Sequence, residues 1–361
     1  MKSYKNQHYV PRFLLRRFSE DRSSIRLFNI GREIFVDAAS IASQCAKNNF
    51  YSQDINIELA LKEIDTDAAG IIEKICRTKV IPSIGESDRL ILTFFTVLQK
   101  YRTQSAADDM DDINDKMIKH IYGRKIKKEL RLTDEDLAGI KIGINLASAR
   151  ATAMAAEAYV LALDLDVKML INQTNQEFII SDNPVIFYNQ YLEHRTIVSN
   201  TGLQSQGLEI LFPLDKQSLL LFYDPAVYRV GSNKQNHIVS LMNVNDVAAI
   251  NKASYLNAIN NIYFRSKAMN SVISQLHGKY KIMRNSERTN LAVISREETG
   301  NGYSETIKMS GEDLRIGLRP SVISIRKSAS QRLRKMEMAK WQPALLMRNP
   351  EIVKNTVNFM S

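Results

Sequence analysis

His8, Glu63, Arg102 and Asp182 are side chains whose types together could cleave a phosphodiester. An imidazole transfers the proton, a carboxylate orients it or holds Mg²⁺, and a guanidinium stabilises charge on the phosphate. Gln99 and Asn183 add neutral donors beside two of them, and Arg12 and Arg16 follow His8 closely, so these four are candidates for touching substrate. The same residue types also suit a buried polar network joining two parts of a fold. The sequence keeps both readings open.

The elements that must position these groups can be traced. In Gln7 to Phe18, Pro11 biases Val10 toward extended backbone and can open a helix running through Phe18. On that helix Leu14, Leu15 and Phe18 form an apolar stripe, with Arg12 and Arg16 one turn apart on a polar one. The spacing of Ile57, Leu61, Ile64, Ala68, Ile71 and Ile75 predicts a helix over 57–76, and Glu63 borders its stripe. A second helix is expected over 88–107, apolar nearly all round and therefore central. Gln99 and Arg102 project on one side of it. A buried arginine needs an acid, and Glu63 and Asp182 are the candidates. Ser181-Asp182-Asn183-Pro184 follows an apolar strand, where a rigidly held carboxylate suits a metal ligand or general base. Asp and Asn before Pro are equally strong turn formers. Asp182 and Glu209 resemble the start of a restriction-type nuclease pattern, but no lysine stands two residues after Glu209.

Four pieces carry a family resemblance: His8-Tyr9-Val10-Pro11-x-Phe13-x-Leu15-x-x-Phe18, Phe50-Tyr51 with the helix through Glu63, Gln99-x-x-Arg102-Thr103, and Phe178 to Val185. Phe212-Pro213-Leu214 and Asn251 to Ala258 match more loosely. Together they resemble the bacterial family called domain of unknown function 4238, over about His8 to Phe264. No settled reaction belongs to that family. Some of its members occur in anti-phage defence islands, so the resemblance implies a bacterial defence role.

The chain of 361 residues is long enough for a substantial core. Alternating runs at 24–30 and 33–36 predict a hairpin, and 167–171, 177–180, 208–212 and 218–223 predict four antiparallel strands. The charged stretch 108–136 reads as a solvated helical excursion, followed by helices over 137–161 and 246–262. The expected fold class is α+β: a helical half over 1–165 packed on a mainly antiparallel sheet with a helix over 166–280, then a basic C-terminal extension over 281–361. That extension is read as short strand-like runs, hydrophilic loops at 297–304 and 308–314, and a basic helix near 331–341.

Several chemistries are excluded. There is no P-loop, no Gly-x-Gly-x-x-Gly and no Gly-x-Ser-x-Gly. Cys45, Cys76, His120, His194, His237 and His277 are too scattered for a zinc site. Two cysteines, no apolar leader and no membrane-length apolar run predict a cytoplasmic protein without a membrane partner. The net charge of +10 points to a polyanionic partner, RNA or DNA. Arg326, Lys327, Arg332, Arg334, Lys335 and Lys340, with Trp341 beside them, are the candidate nucleic-acid contacts. The leading expectation is an anti-phage effector, a nuclease using His8, Glu63, Arg102 and Asp182, with Mg²⁺ as the candidate cofactor. Two competitors stand beside it: a non-catalytic sensor of a phage component or nucleic acid, and an enzyme acting on a nucleotide or other phosphorylated small molecule. Self-association stays open.

Overall fold

Pro11, at φ −60° and ψ 140°, is the joint where an extended N-terminal strand turns into a helix. The computed structural model describes residues 6–194, 200–233, 235–284, 289–299, 302–311, 313–338 and 347–348. Strand β1 (Asn6–His8) leads through that joint into α1 (Arg12–Arg17), whose Leu14 and Leu15 are fully buried. The predicted hairpin forms as β2 (Ser24–Asn29) and β3 (Ile34–Ser40), and β4 (Ala46–Asn48) returns to pair antiparallel with β1.

Helix α2 (Ile55–Thr78) starts where Asp54 accepts the Asn56 N–H and ends at Lys79, which is left-handed at φ 57°. Its Leu61, Ala68, Ile71, Ile72 and Ile75 face the core, as the period of 3.6 requires. The helix expected over 88–107 is instead two. Helix α3 (Ser87–Tyr101) stops at Arg102, and the Thr103 hydroxyl accepts the Ala106 N–H to cap α4 (Gln104–Leu130). A hydroxyl that bonds forward to a free amide ends one helix and begins another. Helix α5 (Asp134–Gly139) has a capping box, and α6 (Ala147–Ala158) is shorter than the expected 137–161 because Leu146 is left-handed just before it.

The strand-rich half contains β5 (Asp166–Asn172), β6 (Ile180–Ser181), β7 (Ile186–Tyr188), β8 (Glu209–Pro213), β9 (Ser218–Tyr223), β10 (Tyr228–Val230) and β11 (Ile238–Leu241). Helix α7 (Val244–Asn257), β12 (Asn261–Phe264) and α8 (Met269–Tyr280) follow. Two sheets form rather than one: a five-stranded sheet in the order β11-β5-β9-β8-β7, and a four-stranded sheet β3-β2-β12-β6. All ladders of both are antiparallel except β11 on β5. Strands β8 and β9 are buried on both faces, which is why they read as unbroken apolar runs. The fold is α+β.

The last quarter differs from its expectation. The stretch expected as loops is a long hairpin of β13 (Thr289–Thr299) and β14 (Gly302–Gly311). Its strands are mostly exposed, so no apolar alternation marked them. Strand β15 (Ile323–Ile325) pairs with β10, and Ile316, Leu318, Ile323 and Ala329 enter the same core as β8 and β9. Helix α9 (Lys327–Met338) carries the basic residues, while Lys340 and Trp341 lie outside the described residues.

Candidate functional site

The N-terminal segment is held by side chains that bond its backbone. Gln7 donates to Ser52 O (2.9 Å) and accepts the Tyr51 N–H (2.8 Å). The Tyr51 hydroxyl lies 3.3 Å from His8 O and 3.2 Å from Arg102 O. Gln99 donates to Tyr9 O (2.9 Å) and accepts from Arg102 Nε (2.8 Å). Gln7, Tyr51, Gln99 and Arg102 are all buried. A strand entering a core must satisfy its carbonyls there, and these amide and hydroxyl groups do so.

The acid that meets Arg102 is neither Glu63 nor Asp182. Asp65 Oδ1 lies 2.8 Å from Arg102 Nη2, and Phe95 stacks beneath the guanidinium at 5.4 Å. Asp65 follows Leu61 by four residues and precedes Ala68 by three, so it shares their face. Glu63 points elsewhere and is exposed. Burial pushes the Asp65 carboxyl up, while Arg102 pulls it down.

Asp182 is committed differently. Its carboxylate accepts the N–H groups of Ile259 (2.8 Å), Asn260 (2.7 Å) and Asn261 (3.1 Å). Asn183 donates to Asn257 O (3.1 Å), and Asn257 donates back to Asn183 O (2.6 Å). The Ser-Asp-Asn-Pro turn therefore clamps the link from α7 to β12. Burial raises the Asp182 carboxyl, opposed by those three amides and by Arg284. Its charge reaches Tyr9, Cys45 and Tyr263, whose protons burial already holds on.

Among the described residues, no hydrogen bond or ion pair joins the side chains of His8, Glu63, Arg102 and Asp182 to one another. His8 is half-buried with Nε2 at 3.2 Å from Ala42 O, and burial lowers its pKa, with Arg12 adding to that. Arg12 and Arg16 are exposed. The guanidinium of α1 that does bind is Arg17, which reaches Glu73 (2.6 Å), Asp215 (3.1 Å) and Leu214 O (3.1 Å). Among the described residues, no cluster of three or more His, Cys, Asp or Glu side chains could hold a metal.

A second buried polar centre forms around Glu193, which nothing in the sequence singled out, and Glu209. Glu193 accepts the Tyr188 hydroxyl (2.6 Å) and the N–H groups of Ile316 (2.8 Å) and Gly317 (2.6 Å), and pairs with Arg319 at 2.8 Å. Nearby Glu209 accepts the Gln190 N–H (3.2 Å) and lies beside the Tyr228 hydroxyl, which donates to Gly207 O (2.8 Å), and burial pushes its carboxyl up to about 8. Glu209 stands on β8 and forms no ion pair among the described residues. This centre stitches residues 316–319 to the sheet; the signal was Glu209 in an otherwise apolar run.

Basic residues gather at this same end of the sheet, where Tyr223, the register partner of Glu209, lines a hollow. This hollow, of about 280 Å³, is lined by Lys168, Tyr223, Arg229, Val230, Ser232 and Arg326. Arg326 Nε donates to Pro225 O (2.9 Å) and Tyr228 O (3.0 Å), and Arg332 donates to Ala226 O (3.1 Å). Lys327, Arg334 and Lys335 on α9 are exposed. Lys168 and Arg229 are far from Arg326 in sequence, and Lys168 sits in an apolar strand, so only the fold brings the three together.

The profile of one protein family, described as protein of unknown function (DUF4238), matches residues 6–268. No curated protein and no solved structure matches the chain. No helix among the described residues is long and apolar enough to cross a membrane.

Proposed function

The chain belongs to the DUF4238 family, and from that starting point we propose that it is a nucleic-acid-binding module without a catalytic centre at His8, Glu63, Arg102 and Asp182. One observation carries this reading. Of the groups expected to do chemistry, Arg102 is paired with Asp65, Asp182 is held by three backbone amides, and Glu63 is exposed apart from both. Lys168, Arg229, Arg326 and Arg332, by contrast, are held by carbonyl oxygens and form no ion pair among the described residues. Cations fixed in that way bind phosphate backbones with little sequence requirement. In the defence role implied by the family resemblance, such a module acts as a sensor of RNA or DNA rather than as its scissors.

The test is salt-dependent binding of the purified chain to single- and double-stranded RNA and DNA. Affinity should fall steeply with salt, and neutralising Lys327, Arg334 and Lys335 to Gln should reduce the slope by roughly 0.7–0.9 per phosphate contact removed. Incubation with Mg²⁺ should leave the nucleic acid intact. Cleavage that disappears in a folded Asp182→Asn variant would overturn the reading.

A further inference from the structure

Lys168 is 2% exposed, yet it lines the open hollow at the end of β5. Its ammonium donates to Val230 O (2.9 Å) and Asn233 O (2.7 Å). An ammonium has three donors, so one remains. Arg326 spends Nε on two carbonyls and keeps both Nη groups, while Arg229 spends Nη2 on Ser232 O at 3.0 Å. None of the three forms an ion pair with a carboxylate among the described residues. Asp166 is the acid that Lys168 feels, and it is engaged by the Tyr223 hydroxyl. The wall of the hollow thus carries three cations, each anchored by main chain and one deeply buried, with Asp166 outside its lining.

Anchoring of this kind orients donors before a ligand arrives, which lowers the ordering cost of binding. A buried cation without an ion-pair partner, as Lys168 is among the described residues, also needs an anion more than an exposed one does. We propose that the hollow binds a phosphomonoester, either the terminal phosphate of a nucleic-acid strand or that of a free nucleotide. A monoester carries about 1.5 to 2 negative charges and three acceptor oxygens, which suits three converging cations. A backbone phosphodiester carries one charge and continues on both sides, which suits the open row on α9 better. The inference rests on the nucleic-acid reading for the strand terminus only; the free nucleotide stands without it.

The experiment uses the full chain in two arms. Calorimetry compares adenosine 5′-monophosphate with adenosine, and anisotropy compares oligonucleotides with and without a terminal phosphate, at the 5′ and 3′ ends in turn. The monophosphate should bind where adenosine does not, and Arg229→Gln, at an exposed position, should weaken it by about tenfold or more, the worth of one charged hydrogen bond. Lys168→Met should do the same; if it fails to fold, Arg229→Gln still decides. An end-phosphate preference of about tenfold identifies the strand terminus as the source, and monophosphate binding without it identifies the free nucleotide. Oligonucleotide binding with no end preference and no monophosphate binding would overturn the hollow while leaving the nucleic-acid reading intact. Monophosphate binding with no oligonucleotide binding would uphold the hollow and sink that reading.

Discussion

Arg102 and Lys168 are two buried cations with opposite company. Arg102 faces Asp65, Gln99 and the Phe95 ring; Lys168 is bonded to carbonyl oxygens beside an open hollow and forms no ion pair among the described residues. The first arrangement neutralises a charge in order to pin the N-terminal segment against α2 and α3. The second leaves a charge fixed and available. Residue type alone does not separate structure from recognition here. The partner does.

Breaking the first region should show as lost stability. Arg102→Ala strands the Asp65 acid and should cost about 3–5 kcal/mol in urea unfolding, the usual penalty for breaking a buried ion pair. Glu63→Ala, at an exposed site on the same helix as Asp65, should change stability by less than about 0.5 kcal/mol. Comparable in size is Asp182→Ala. It leaves three amides between α7 and β12 without an acceptor, each unsatisfied group costing about 1–3 kcal/mol; the link at 259–261 should exchange its amide protons faster, with nucleic-acid affinity of the folded protein unchanged.

The buried acid of the second centre gives a pH effect of intermediate size. Glu209 holds its proton up to about pH 8 in the folded chain but loses it near its ordinary range when unfolded. Between those limits the folded state binds the extra proton, so stability falls as pH rises through that window, by at most about 1.4 kcal/mol per pH unit. Glu209→Gln should flatten the urea midpoint between pH 5 and 8 and raise it at the upper end. Smallest in stability is Arg334→Gln on α9, within about 0.5 kcal/mol, and its effect should appear in the salt slope of binding instead.

The α+β class, the hairpin β2–β3 and the stripe of α2 were legible because apolar period and turn residues agree there. The break at Arg102-Thr103 was not, since apolar residues run up to it and the signal is a single capping hydroxyl. The parallel pairing of β11 on β5 and the split into two sheets are long-range choices that no local period encodes. At the site, Gln99 and Arg102 were correctly read as one buried pair on one helix face, but the acid was sought at Glu63 or Asp182 when the spacing from Leu61 pointed to Asp65. Asp182 was weighed as a catalytic group and as a turn former, and three backbone amides occupy it. The hollow was invisible: Lys168 reads as an ordinary charge in a strand until β10 folds over it.

The most direct test sets the two regions against each other in one binding assay. Anisotropy titrations with a phosphorylated oligonucleotide would compare Asp182→Asn with Arg229→Gln, each verified as folded by its thermal transition. The account predicts unchanged affinity for Asp182→Asn and a loss of about tenfold or more for Arg229→Gln. Full affinity in Arg229→Gln together with lost affinity in Asp182→Asn would contradict it, and would move the functional centre back to the Ser-Asp-Asn-Pro turn.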